Sequence, residues 1–143
     1  MSPAVRVAVA VLAGIGVTYA LLLLSDVSIR GTYPLPGPEE LRDPEVACAA
    51  LAAVPWMALW LMVMGWGLAG GVGAFLAARL APADLAPARR IYVGIAVVVV
   101  LAVTTAVNLA TIPHPMWVWP ASMVLIVLLG WVGARAGALR RSN

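Results

Sequence analysis

The polar residues that could do chemistry lie near the ends of long apolar runs. His114 stands between Pro113 and Pro115, and Asn108 precedes it by six positions. Imidazole, amide, carboxylate and indole groups gathered at one end of a helical bundle could hydrogen-bond and stack on a quinone ring or a lipid headgroup. The candidate ligand-binding residues, which we expect around one cleft in the outer leaflet, are Asp26, Arg30, Asn108, His114, Trp117 and Trp119.

These residues also have structural interpretations, which the sequence leaves open. His114 suits a turn at the membrane surface, where its titration near neutral pH could make it sensitive to pH. Asn108 would lie about 9 Å deeper along a helix, where its amide needs a hydrogen bond to a neighbouring helix. The tryptophans suit an aromatic belt at headgroup level. The belt would contain Trp56, Trp60, Trp117 and Trp119.

Sequence motifs of enzymes are not found. The chain has one Cys and one His, so a Cys-x-x-Cys pair, a haem held by two histidines and an HExxH zinc helix are all excluded. A Ser-His-Asp set lacks the nucleophile-elbow pattern. We therefore predict a protein that is not an enzyme, with no metal and no resident cofactor. A quinone or a bound lipid remains the open ligand class.

The composition indicates a membrane protein. Of the 143 residues, 64% are apolar and 10% are charged, and the mean hydropathy is +1.02. Soluble domains carry about 25% charged residues, and a chain of this size could not hide so much apolar surface from water. Membrane lipids are therefore the expected surroundings. The arginines flank the apolar runs, which favours membrane orientation over a nucleic-acid partner.

The apolar runs predict a single all-α domain over residues 1–143, an integral membrane four-helix bundle. Residues 46–78 and 91–134 carry no Asp, Glu or Arg. The second of these runs is long enough for two crossings of about 20 residues each. Prolines at 113 and 115 divide it by a turn. The predicted spans are about 5–25, 56–79, 90–112 and 116–137, with an outer loop 26–55, an inner loop 80–89 and an outer turn 113–115.

The outer loop is predicted to contain a short helix. Asp43 fits an N-cap, Pro44 fits the first helical position, and Pro55 interrupts the run that follows. We expect a short interfacial helix from residue 44 to about residue 54, followed by the second span. A single long, kinked helix is the alternative.

The arginines predict the orientation. Seven of the nine fall on one side of the predicted spans, whereas Arg30 and Arg42 fall on the other. The positive-inside rule then puts both termini in the cytoplasm. The expected location is the inner membrane of a bacterium, with the chain passing through it several times.

Small residues recur at four-residue spacing in the second and fourth spans. Gly67 and Gly71 form one such pair, and Gly133 and Gly137 form another. Such rows allow close approach of helix backbones. The glycines are predicted to pack helices, either within the bundle or against another chain.

Two segments resemble a group of small bacterial inner-membrane proteins with four helices. They are 108–117, which contains Ile-Pro-His-Pro-Met-Trp, and the glycine-rich segment 65–80; the proline-rich outer loop is similar as well. The resemblance implies the fold and the location, and it carries over no catalytic residue.

The leading functional hypothesis is an accessory or scaffold subunit without enzymatic activity. It would pack through its glycine faces against a larger membrane complex or against its own copies. The alternative is a small transporter, or a protein that binds a lipid or quinone at the outer polar residues.

Overall fold

The computed structural model describes residues 2–33, 37, 39 and 42–139. Several residues of the predicted outer loop, among them Glu40, and the C-terminal arginines Arg140 and Arg141 lie outside the described residues. The described part of the chain contains five α-helices: α1 (Pro3–Thr32), α2 (Pro44–Ala53), α3 (Trp56–Leu80), α4 (Pro87–Thr111) and α5 (Val118–Leu139). Four of them are long and apolar enough to cross a membrane. The all-α prediction with four candidate spans is confirmed.

Helix α1 is longer than the predicted first span. It continues to Thr32, seven residues past position 25. Polar side chains of this extension form hydrogen bonds within the helix. The Ser28 hydroxyl, for example, donates to the Leu24 carbonyl at 2.8 Å. Asp26 and Arg30 also pair one turn apart. Residues 26–32, predicted as the start of the outer loop, are therefore helical.

Helix α2 forms as a separate element. The carboxylate of Asp43 accepts a hydrogen bond from the backbone N–H of Glu45 at 2.9 Å, which is the geometry of an N-cap. Pro55 then takes an extended conformation with φ −57° and ψ 138° and starts α3. The alternative of one long, kinked helix is wrong, because Pro55 has no backbone N–H to continue the helical pattern.

Helix α3 is central to the bundle. Helices α1, α4 and α5 all contact it, and α4 also contacts α1 and α5. Among the described residues, α1 and α5 do not touch each other; they occupy opposite flanks of the α3–α4 pair. The apolar core runs along the length of the bundle in three clusters of buried residues. They include Ala77 and Val97, then Leu101 and Ile126, then Val63 and Val118.

The four predicted packing glycines lie between α3 and α5. A Cβ added at Gly133 would overlap the carbonyl oxygen of Gly71, and one added at Gly137 would overlap that of Phe75. A Cβ at Gly67 would lie 3.0 Å from Leu129 Cδ1. These contacts belong to a single chain, so the glycine faces pack within the bundle. A second chain could not use the same faces without opening this contact.

Buried polar side chains are satisfied inside the bundle. Thr18 of α1 donates to the carbonyl oxygens of Gly14 and Ala69, at 2.9 and 3.4 Å. Ser122 donates to Val118 at 2.6 Å. Within the described residues, no buried side-chain nitrogen or oxygen lacks a hydrogen-bond partner. Four long apolar helices around such a core are compatible with a small integral membrane protein.

Candidate functional site

The turn between α4 and α5 presents the only histidine of the sequence. Helix α4 ends at Thr111, and Ile112 is extended with φ −116° and ψ 125°, as expected for a residue that precedes proline. The backbone N–H of Val118 donates to the carbonyl of Pro115 at 2.9 Å and leads into α5. His114 is therefore fixed at the middle of a short, proline-bounded turn.

The hydrogen bond of His114 determines its tautomer. Its Nδ1 lies 2.8 Å from the carbonyl oxygen of Ile112, and a carbonyl oxygen can only accept, so Nδ1 must carry a proton. Burial lowers the pKa of His114 below its ordinary value, and the bond to Ile112 opposes this effect only in part. The ring is therefore neutral near pH 7. Its Nε2 then has a free lone pair and acts as an acceptor.

A groove of about 240 Å³ separates this turn from α2. The described lining consists of Pro113, His114 and Pro115 on one side, and of Cys48 and Ala52 on the other. Helix α2 also buries Ala47 completely. The groove therefore has mostly apolar walls, with one imidazole and one thiol as polar groups.

Two tryptophans of α3 contact aromatic side chains of the turn. Trp117 stacks on Trp60 of α3, with ring centroids 5.0 Å apart and an interplanar angle of 28°. The ring of His114 meets Trp66 edge-on, at 6.5 Å and 65°. Trp119 is 37% exposed at the start of α5. These contacts attach the α4–α5 turn to the first half of α3.

Asn108 lies in the last turn of α4 and is half-buried. Its backbone carbonyl oxygen accepts hydrogen bonds from the Thr111 hydroxyl and from the Ile112 backbone N–H, both at 3.0 Å. Asn108 therefore takes part in ending the helix. A hydrogen bond from its amide to a neighbouring helix stays a prediction.

Asp26 and Arg30 form an ion pair on α1, with Nε 2.8 Å from Oδ2. The side chains are 53% and 35% exposed, respectively. Ser25, which precedes Asp26 on α1, lies close to α3, because a Cβ added at Gly65 would be 2.6 Å from the Ser25 hydroxyl. Gly65 is nine residues from the start of α3, a distance of about 13 Å along the helix. The ion pair therefore lies alongside the first half of α3 and not beyond its N-terminal end.

The six predicted ligand-binding residues lie on α1, near the end of α4, in the α4–α5 turn and at the start of α5, and their grouping around one cleft stays a prediction. Of these six, His114 is the one that lines the described groove. Trp117 stacks on α3, and Asp26 and Arg30 pair on α1. Sequence reasoning did not include Cys48 and Trp66 in the site. The position of α2 brings Cys48 near His114, and the register of α3 brings Trp66 to it. The local sequence predicts neither that position nor that register.

Two further observations bear on the site. Within the described part of the chain, no group of three or more His, Cys, Asp or Glu side chains is arranged to hold a metal ion. Comparison with protein-family models, curated proteins and solved structures finds no match for this chain. Its function must therefore be argued from its own residues.

Proposed function

We propose that the protein is an accessory or scaffold subunit without enzymatic activity in a bacterial inner membrane. Its partner is a larger membrane complex or further copies of itself. Both termini lie in the cytoplasm in this proposal, because the arginines concentrate at one end of the bundle. The described arginines at that end are Arg6, Arg79, Arg89, Arg90 and Arg135.

The short helix α2 lies in the outer interface in this arrangement. Its ten residues are too few to cross the hydrocarbon layer, which takes about 20. Glu45 in its first turn suits contact with water, whereas the buried Ala47 faces protein.

The exposed Asp26–Arg30 pair is the observation that carries the proposal. Leu23, Asp26, Val27 and Arg30 lie at positions i, i+3, i+4 and i+7 and therefore share one face of α1, which we name the α1 docking face. Leu23 and Val27 are each 67% exposed. Charged residues at membrane depth are costly unless protein or water covers them. A partner helix that packs on Leu23 and Val27 would also meet the exposed carboxylate of Asp26.

The rest of the packing supports docking on α1. This helix is the least buried of the four long helices. Gly16, on the same outward side, has no described neighbour within 4 Å of an added Cβ. Gly71 of α3 and Gly133 and Gly137 of α5, in contrast, already lie against backbone atoms of the same chain. That close packing also supports a scaffold role over transport through the bundle.

Purification from native membranes in a mild detergent, followed by mass measurement of the complex, tests the proposal. We expect the wild-type chain to elute at several times its monomer mass. The double variant Asp26→Asn/Arg30→Gln should fall to the monomer mass.

The matched control is the second ion pair, Arg42 with Glu39, which is 2.8 Å long and lies outside the helices with both side chains more than 70% exposed. The variant Glu39→Gln/Arg42→Gln should keep the full complex. A wild-type chain that elutes as a monomer, or a complex that survives loss of the Asp26–Arg30 pair, would contradict the proposal.

The groove at His114 favours a second candidate function, the binding of a small ligand at the outer surface. With Nδ1 engaged by Ile112, the neutral imidazole offers an acceptor and no donor. It therefore suits a hydroxyl or an ammonium group, such as those of a reduced quinol or an ethanolamine headgroup, better than the carbonyl oxygens of an oxidised quinone.

Calorimetric titration with a short-chain quinol and the matching quinone tests this second candidate. We expect the quinol to bind at least tenfold more tightly. The variant His114→Phe should remove that difference, whereas Cys48→Ser should keep it. Equal affinities for the two redox forms, or binding that is indifferent to His114→Phe, would contradict this function.

A further inference from the structure

A second groove, of about 270 Å³, lies between α4 and α5. All of its lining side chains are apolar. They include Ile95, Val98, Val99 and Ala102 from α4, and Val127 and Trp131 from α5. The seven-residue separation of Ile95 and Ala102 makes the groove about 10 Å long at 1.5 Å per residue. Apart from the Trp131 indole N–H, its lining offers no hydrogen-bonding side chain, so the groove suits a hydrocarbon chain.

A guanidinium group stands at the arginine-rich end of this groove. Arg135 is one turn beyond Trp131 on α5, and its Cζ lies 5.1 Å from the centroid of the Trp131 ring. This distance is that of a cation–π contact, which holds the charge close to the apolar lining. Arg135 is exposed, so its planar set of donors can meet the oxygens of a phosphate.

A second arginine strengthens the positive charge at the same end. Arg90 of α4 is only 6% exposed. Its Nε donates to the carbonyl of Leu85 at 3.0 Å, and its Nη1 donates to the carbonyl of Ala138 at 3.3 Å. Arg90 thus joins the start of α4 to the last turn of α5. The groove is consequently a fixed feature of two connected helices, with a cationic end.

We propose that this groove binds an anionic glycerophospholipid, with one acyl chain between α4 and α5 and the phosphate against Arg135. The apolar lining matches the chain, and the cation lies one helical turn farther on, where the headgroup would be. Basic sites between membrane helices bind anionic headgroups in this way. A zwitterionic lipid carries a positive group of its own, which reduces the attraction to Arg135 and Arg90. This site is at the opposite end of the bundle from His114.

Native mass spectrometry of the purified full chain tests the proposal. The delipidated protein is titrated with phosphatidylglycerol and with phosphatidylcholine of identical acyl chains. We expect phosphatidylglycerol to bind at least fivefold more tightly. Arg135→Gln should abolish this preference, and Arg135→Lys should restore part of it, because a Lys retains the charge without the planar donors. Arg89→Gln removes a nearby exposed arginine and should leave the preference unchanged.

A second pair of variants locates the acyl chain. Ala102→Phe fills the groove and should weaken both lipids by about tenfold, whereas Ala110→Phe on the exposed side of α4 should weaken neither. A phosphatidylglycerol with a diazirine in its acyl chain should label peptides that contain residues 95–102 and 127–131. The site is overturned if the two lipids bind equally, if Arg89→Gln acts as strongly as Arg135→Gln, or if the label falls on other helices.

Discussion

Gly133 of α5 packs directly against the backbone of Gly71 on α3, so closely that a Cβ at position 133 would overlap the Gly71 carbonyl oxygen. This contact determines how much of the molecule is available to other chains. It joins α3 and α5 within one chain, and the outward side of α1, the least buried of the four long helices, takes no part in it. The proposed docking function uses that side of α1.

The first prediction concerns this contact. Gly133→Ala should lower the free energy of unfolding by about 1–3 kcal/mol, the usual cost of overpacking a well-filled interface. Gly16→Ala is the matched control, because a Cβ there meets open space. Denaturant unfolding of the purified protein in detergent measures both. Equal stability of Gly133→Ala and the wild-type chain would show that α3 and α5 are not in such close contact.

The second prediction concerns Thr18, which is 1% exposed and bonds the Ala69 carbonyl on α3. Thr18→Val keeps the shape and removes the donor. Hydrogen bonds between membrane helices contribute about 0.6 kcal/mol on average and about 1.7 at most, so the loss of stability should fall in this range. Thr111→Val, which removes an exposed hydroxyl bonded within its own helix, should change the stability less. The reverse order would contradict the α1–α3 bond.

The third prediction is a pH dependence of stability. Burial lowers the pKa of His114 from its ordinary value of 6.5, so below pH 6.5 the unfolded chain binds a proton that the folded chain does not. Stability should therefore be constant above this pH, with respect to His114, and should decrease as the pH falls towards the lowered pKa. His114→Gln should remove this part of the dependence. Unfolding curves from pH 7.5 to pH 5 measure it, and identical slopes for both proteins would contradict the buried, neutral imidazole.

The fourth prediction concerns Arg90. Its Nη1 donates to the Ala138 carbonyl at the end of α5, and its Nε donates to the Leu85 carbonyl just before α4. Hydrogen bonds to charged groups contribute about 1.5–3 kcal/mol each. Arg90→Gln should therefore destabilise the protein by about 2 kcal/mol and speed amide exchange in the last turn of α5. Arg89→Gln, at an exposed position, should do neither. Unchanged exchange at α5 in the Arg90 variant would exclude this role.

Features encoded by neighbouring residues were predictable from the sequence. The prolines at 113 and 115 end one helix and precede the next, and Asp43 caps α2 through the N–H two residues later. In each case the cause lies within a few positions, because proline conformation and capping are local effects. The helix end of α1 differs, since loss of hydropathy marks the edge of an apolar run and does not stop a helix whose polar side chains bond along it.

Features that depend on helix register were not predictable. Glycines at four-residue spacing suit a contact with any helix, and only the parallel alignment of α3 and α5 brings Gly71 to Gly133. The six candidate ligand residues were grouped by their nearness to one end of the bundle. Where each of them lies depends on helix packing, since α1 packs on α3 and α4 and the α4–α5 turn faces α2. The burial of Arg90 likewise depends on the position of the end of α5.

Photo-crosslinking in intact membranes tests the central claim, docking on α1, most directly. A benzophenone amino acid at Val27 on the α1 docking face is compared with one at Leu128 of α5, which is also exposed. The proposal predicts a discrete crosslinked protein band from position 27, its loss in the Asp26→Asn/Arg30→Gln background, and no protein band from position 128. Crosslinks to lipid alone at position 27, or an equally strong protein band from position 128, would contradict it.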